Sequence, residues 1–179
     1  MDLIDKINEM AARIPKQIEH ISTEEATKNA LVMPFINALG YNVFDPTEVV
    51  PEFTADVGTK KGEKVDYAIV RDGKPILLFE VKCVGVDLNS VHASQLYRYF
   101  SVTDARFGIL TDGVIYRFYS DLDAPNKMDE KPFLVLDLTD YNESQVSELK
   151  KFTKSSFDID DILSSASELK YKREIVNLI

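Results

Sequence analysis

Two acidic residues and one lysine have the types and spacing that best fit a chemical role: Asp66, Glu80 and Lys82. Carboxylate oxygens are the ligands that Mg²⁺ prefers, and a bound divalent cation lowers the pKa of a water molecule enough for phosphodiester hydrolysis. A lysine beside them can hold that water and offset negative charge that develops during the reaction. The three side chains therefore predict a metal-dependent hydrolytic site, with the backbone carbonyl of Val81 as a further metal ligand.

The register of one hairpin decides whether this site can form. The candidate residues lie on two predicted strands that are joined around Asp72 and Gly73, a dipeptide typical of hairpin turns. Because strand side chains alternate between faces, Glu80 and Lys82 share a face. A two-residue turn alone would place Asp66 and Glu80 on opposite faces, whereas a three-residue loop or an equivalent bulge would bring them together. The site hypothesis therefore predicts the loop or the bulge.

A plain solvated strand face is the alternative explanation for Glu80 and Lys82. It is weakened because Ile76 and Leu78 share that face, and burying charged groups among apolar ones without a purpose is costly. An isolated Glu-x-Lys on a strand would favour the alternative. The presence of Asp66 on the preceding strand favours the site.

The elements that would position this site follow from apolar periodicity and from turn residues. Ser22 and Glu25 fit a capping box, and Gly40 fits a helix stop. Pro15 and Pro34 are expected to end or bend their helices. Helices are predicted at residues 3–18, 22–40, 88–102 and from 142 onward, and strands at 41–44, 48–54, 64–70, 75–82, 106–110, 114–119 and 133–138.

This order of elements predicts an α/β fold with a central mixed β-sheet flanked by helices. It divides the chain into an N-terminal helix (1–21), a core (22–140) and a C-terminal helical segment (141–179) that packs on or extends from the core. The length of 179 residues and the 45% hydrophobic content suit one compact core.

Composition also limits the environment and the partners. One cysteine excludes an internal disulfide, two histidines argue against a structural zinc site, and no apolar run could span a membrane, so we expect a cytoplasmic protein. The net charge of −9 weighs against strong nucleic-acid binding, which depends on neutralising phosphates. Lys60, Lys61 and Lys64 lie near the candidate site and are candidate substrate-binding residues; a merely solvated lysine loop is the equal alternative.

The motifs resemble those of a known nuclease superfamily. Residues 65–68 (VDYA) followed by 79–82 (FEVK) resemble the PD-(D/E)xK nucleases, with Val65 in place of the proline. Residues 23–28 (TEEATK) and 108–113 (GILTDG) extend the likeness to the N-terminal nuclease domain of type I restriction enzyme R subunits and to predicted type IV restriction endonucleases. The resemblance implies a restriction-endonuclease-like core that covers most of the chain.

The resemblance also implies an activity, namely Mg²⁺-dependent endonucleolytic cleavage of DNA in the restriction of foreign DNA, with Mn²⁺ as a possible substitute. In such families a glutamate of the first core helix joins the metal site. Glu24 is favoured over Glu25 because it shares a helix face with Lys28, Leu31 and Phe35, whereas Glu25 has the capping role.

Gln95 and Tyr99 match a Q-x-x-x-Y motif of RecB-like members of the superfamily. Their spacing places both side chains on one helix face. We expect Gln95 to support the active-site lysine, the substrate or the backbone, and Tyr99 to contact the substrate. An exposed glutamine beside a core tyrosine is the alternative.

Two rival functions stay open at this point. One is a RecB-like nuclease specific for DNA ends or structures, and the other is a non-catalytic nuclease fold that binds DNA or protein. Expected partners are DNA, a second copy of the chain, and a larger restriction complex or a missing C-terminal region, but no membrane. A second copy is expected because a domain with one site needs a partner to break both strands.

Overall fold

One six-stranded sheet organises the part of the chain that a computed structural model describes, residues 1–55, 64–89 and 93–178. The strands lie side by side in chain order. They are β1 (Val49–Phe53), β2 (Val65–Arg71), β3 (Lys74–Val81), β4 (Phe107–Thr111), β5 (Ile115–Tyr119) and β6 (Leu134–Asp137). The helices are α1 (Leu3–Gln17), α2 (Glu24–Thr27), α3 (Met33–Ala38), α4 (Ser94–Val102), α5 (Glu143–Lys150) and α6 (Ile159–Leu178).

Strand directions make the sheet mixed. The strands β3 and β4 are parallel, and α4 lies between them in sequence, as a parallel connection requires. The other neighbouring pairs are antiparallel. This arrangement brings the carboxyl ends of β3 and β4 to the same edge of the sheet, next to the candidate residues.

Helices cover both faces of the sheet. A large apolar cluster on one face joins side chains of α1, α3, α5 and α6 to the sheet, and a smaller cluster on the other face centres on α4. Along β3, Leu77 and Phe79 belong to the first cluster and Leu78 to the second, as the alternation of strand side chains requires. The predicted α/β class, with a central mixed sheet flanked by helices, is confirmed.

The helix before the sheet contains an irregularity that affects the site. Between α2 and α3 the chain forms a π-helical turn, Lys28–Val32. Pro34 follows this turn at the start of α3, where its missing N–H and its ring disfavour a regular preceding turn. The bend predicted at Pro34 therefore takes the form of a widened turn. Gly40 follows the end of α3, as predicted.

The structure differs from the local predictions at three places. Pro15 lies inside α1 and does not end it; a 3₁₀ turn, Ile18–His20, follows the helix. Residues 41–44 form no strand, because the chain turns there: the N–H of Phe44 donates to the side-chain oxygen of Asn42 over 3.0 Å, and that of Asp45 donates to the carbonyl of Asn42 over 3.1 Å. The helix predicted at 88–102 begins only at Ser94. In the described parts of the chain, no helix is long and apolar enough to cross a membrane.

Candidate active site

The hairpin of β2 and β3 has the register that the site requires. Asp72 and Gly73 form a two-residue turn with φ of 53° and 76°, and the register then shifts so that Ile76 is the extra residue of a β-bulge. Beyond the bulge the pairing is regular, so Asp66 and Glu80 lie on adjacent strands at the end of the hairpin. The predicted bulge is therefore confirmed.

Both oxygens of the Asp66 carboxylate are engaged. Oδ2 accepts a hydrogen bond from the backbone N–H of Val81 at 2.7 Å, and Oδ1 lies 3.2 Å from the ammonium of Lys28. The first contact fixes the carboxylate against the residue between Glu80 and Lys82. Asp66 is thus held in place by the last residue of β3, which lies between the other two candidate residues in sequence.

Glu80 is the least satisfied charged group at the site. Its residue is only 4% exposed, Oε1 lies 3.4 Å from Nζ of Lys82, and Oε2 has no hydrogen-bond partner among the described residues. Burial, and next the charge of Asp66, raise the pKa of Glu80 from its ordinary 4.5 to about 8, although Lys82 opposes the shift. Two neighbouring ionised carboxylates repel each other, so the pair is favourable only when one of them holds a proton or a cation binds between them.

Lys82 follows the last residue of β3, where backbone bonds to the neighbouring elements fix the chain. Its N–H donates to the carbonyl of Thr111 over 2.8 Å. The turn after it is held from two sides: the hydroxyl of Thr27 accepts the N–H of Val84, and the carboxylate of Asp112 accepts that of Gly85, each at 3.3 Å. Lys82 therefore extends from a well-anchored segment.

Lys28 belongs to this site, and the sequence interpretation gave it no role. Its side chain is 13% exposed and contacts Asp66 at 3.2 Å and Glu25 at 2.6 Å. Burial alone would lower the pKa of Lys28, but the hydrogen bonds and charges of Glu25 and Asp66 together raise it. The sequence feature that could have revealed this role is a lysine on an otherwise apolar helix face that carries Leu31 and Phe35.

Glu24 was predicted to join the metal site, and it does not. It is exposed, and it is Glu25, also exposed, that reaches the site through its ion pair with Lys28. The predicted N-cap residue is also wrong, since Thr23 and not Ser22 accepts the N–H of Ala26. The prediction assumed a regular helical period, which the π-helical turn interrupts.

Gln95 lies where it can support the site through the backbone. Its side-chain amide donates a hydrogen bond to the carbonyl of Lys64, directly before β2. The ammonium of Lys64 is exposed and pairs with Glu52 at 3.3 Å. Tyr99 is fully buried, with its ring edge-to-face to Phe53 at 6.3 Å between centroids, so the prediction that it contacts substrate is corrected to a core role.

Lys60 and Lys61, the other predicted substrate-binding residues, lie outside the described residues. Within residues 1–55, 64–89 and 93–178, no group of three His, Cys, Asp or Glu side chains could hold a metal ion. A cation at this site would therefore rely on Asp66 and Glu80 among the described side chains.

The turn at the end of the 108–113 motif has a structural role. The Asp112 carboxylate accepts the N–H groups of Val114 and Ile115 at 3.0 and 2.8 Å. Gly113 has φ of +86°, and a Cβ there would lie 2.8 Å from Cβ of Leu31. The turn thus packs against the helix that carries Lys28, and only glycine fits at its tip.

The mixed sheet with flanking helices, and the acidic pair beside a lysine at the end of one hairpin, define the restriction-endonuclease-like class of α/β folds. The family model for the type I restriction enzyme R protein N terminus matches residues 52–127. Over these residues the chain is therefore similar to that family, a PD-(D/E)xK-like nuclease region of restriction enzymes, and the resemblance inferred from the motifs is confirmed. No curated protein and no solved structure gave a match.

Proposed function

We propose that this protein is a Mg²⁺-dependent endodeoxyribonuclease that acts in the restriction of foreign DNA. One observation carries the proposal: Glu80 is buried beside Asp66 and has an oxygen without a partner among the described residues. When both carboxylates are ionised, such an arrangement is unfavourable in isolation, since a buried charge needs compensation. A divalent cation between the two carboxylates would supply it.

The residues present fit magnesium. Mg²⁺ binds hard oxygen ligands and keeps several waters, so one or two carboxylates are a sufficient protein contribution. Asp66 and Glu80 would hold the ion, with the carbonyl of Val81 as a further ligand; Mn²⁺ would bind the same oxygens. The bound ion would supply an activated water.

The chain's own residues would do the rest. Asp66 keeps its orientation through the N–H of Val81, and Glu80 must be ionised to bind a cation. Lys82, 3.4 Å from Glu80, would orient the attacking water and offset charge on the phosphate. Gln95 would contribute indirectly, because it holds the carbonyl of Lys64 just before the strand that carries Asp66.

DNA as the substrate rests on the family assignment and on the basic groups near the site. Among the described residues these are Lys28, Lys64 and Lys82, and Lys60 and Lys61 lie shortly before Lys64 in sequence. Since the net charge is −9, the affinity for DNA is expected to be modest and strongly salt-dependent. We further propose a cytoplasmic location, and action as a pair of copies or within a larger restriction complex.

Cleavage of supercoiled plasmid with Mg²⁺ or Mn²⁺ tests the proposal. The variants Asp66→Asn and Lys82→Met should lower the rate about a hundredfold or more, whereas Lys151→Met, directly after α5, should leave it unchanged. Nicking without metal, or equal nicking by all proteins, would refute the assignment. Metal binding without cleavage would favour a nuclease that acts only with a partner. The absence of both metal binding and cleavage would favour the non-catalytic binding module.

A further inference from the structure

Each of the two acidic residues at the site has its own lysine. Lys82 lies 3.4 Å from Glu80, and Lys28 lies 3.2 Å from Asp66. The four groups carry no net charge when all are ionised. The compensation for Asp66 comes from the helical region before the sheet, whereas Lys82 lies on the same strand segment as Glu80.

Lys28 is held tightly for a lysine. Its side chain is 13% exposed, and its ammonium also contacts Glu25 at 2.6 Å. Lys28 begins the π-helical turn, and the buried Leu31 and Val32 of that turn fix the backbone against the core. The ammonium therefore has a defined position beside Oδ1 of Asp66.

We propose that Lys28 is a positioning residue that controls the affinity of the site for its divalent cation. The inference rests on the proposed function, because it takes Asp66 as a ligand of that cation. Lys28 occupies Oδ1 of Asp66 and places a positive charge next to the position of the ion. When the ion binds, Lys28 keeps Glu25 as its partner.

Removal of this charge should strengthen cation binding. The carboxylate of Asp66 would stay oriented, since Oδ2 still accepts the N–H of Val81. A nearby positive charge opposes a dication by an amount that, even with strong screening, corresponds to a change on the order of tenfold in affinity. A purely structural role for Lys28 predicts the opposite, since a disturbed site binds the ion more weakly.

Calorimetric titration with Mn²⁺ at low salt tests the inference. We expect Lys28→Met to bind Mn²⁺ on the order of tenfold more tightly than the wild-type chain, and Lys28→Arg to stay within about threefold of it. Lys151→Met is the matched control, because Lys151 makes the same i,i+3 pair with Glu148 at 3.2 Å elsewhere in the fold. It should bind as the wild type does.

Asp66→Asn separates the two proposals. If it abolishes Mn²⁺ binding while Lys28→Met binds as the wild type or more weakly, the role of Lys28 is overturned and the metal site stands. If the wild type binds no Mn²⁺, or Asp66→Asn binds equally well, the metal site itself fails, and with it control by Lys28.

Urea unfolding without metal checks the contact independently. In a double-mutant cycle of Lys28→Met and Asp66→Asn, the paired variant should lose less stability than the sum of the single losses. Additive losses would overturn the positioning contact, whatever the titration shows.

Discussion

Replacement of Glu80 by glutamine should stabilise the metal-free protein at alkaline pH. Glu80 is 4% exposed, repelled by Asp66 and only partly compensated by Lys82. Glutamine has nearly the same shape and carries no charge, and its amide can donate a hydrogen bond to Asp66. A residue that is proposed as essential for catalysis is thus expected to destabilise the folded protein, as residues of active sites often do.

The effect must depend on pH in one direction. The folded protein binds a proton at Glu80 more tightly than the unfolded chain, since the pKa rises from 4.5 to about 8. Stability from this group is therefore complete below pH 4.5, falls as the pH rises through the window from 4.5 to about 8, and is lost above it. The Glu80→Gln variant lacks this titrating group, so its stability should diverge from that of the wild type with rising pH.

The pKa shift sets the scale of the divergence. At about 1.4 kcal/mol per pKa unit, the shift corresponds to an upper limit of about 5 kcal/mol. Relaxation of the site and entry of water reduce it, so we expect Glu80→Gln to gain about 2 kcal/mol at alkaline pH, above the pKa of Glu80, and almost nothing in the acidic range, below it. For a chain of this size that gain corresponds to roughly 4–8 °C in the melting temperature.

Thermal unfolding in a chelating buffer across this pH range is the assay. Glu168→Gln is the control, because Glu168 is exposed on α6 and the substitution removes the same charge from the whole protein. Added Mg²⁺ should stabilise the wild type and leave Glu80→Gln unaffected. A variant that is less stable than the wild type at alkaline pH, or a difference that does not shrink on acidification, would refute the reasoning.

Two further predictions concern the elements around the site. Gly113→Ala should cost about 3 kcal/mol or more in urea unfolding, because φ is +86° and the new Cβ would lie 2.8 Å from Leu31; Gly73→Ala, with positive φ but nothing within 4 Å, should cost only about 1 kcal/mol. Equal losses would contradict the packing argument. Gln95→Ala should lower plasmid cleavage by about tenfold at most, since one backbone hydrogen bond to Lys64 is lost; a loss as large as that of Lys82→Met would instead indicate direct contact with substrate.

The hairpin could be predicted in detail because its constraints are local. Side chains alternate along a strand, so the demand that Asp66 and Glu80 meet already required a bulge or a longer loop after Asp72 and Gly73. The sequence left open which of the two occurs. The structure combines the two-residue turn with a bulge at Ile76.

The helical side of the site could not be predicted in the same way. The choice of Glu24 depended on counting residues along a regular helix, and the π-helical turn from Lys28 breaks that count. The pairing of Lys28 with Asp66 joins elements that are distant in sequence, and no local pattern encodes such a contact. The strand predicted at 41–44 fails for a local reason, because the N–H groups of Phe44 and Asp45 both donate to Asn42 and turn the chain there.

The bulge at Ile76 reconciles two demands on β3 that a regular hairpin could not meet. Before the bulge, the tight turn fixes how the strands begin to pair. After it, Phe79 still faces the large core cluster, while Glu80 faces the side on which Asp66 lies. A shift of one residue would exchange these faces, removing the aromatic ring from its core and placing the two carboxylates apart from each other. The apolar core and the acidic pair therefore select the same register, so the packing that stabilises the sheet also assembles the proposed metal site.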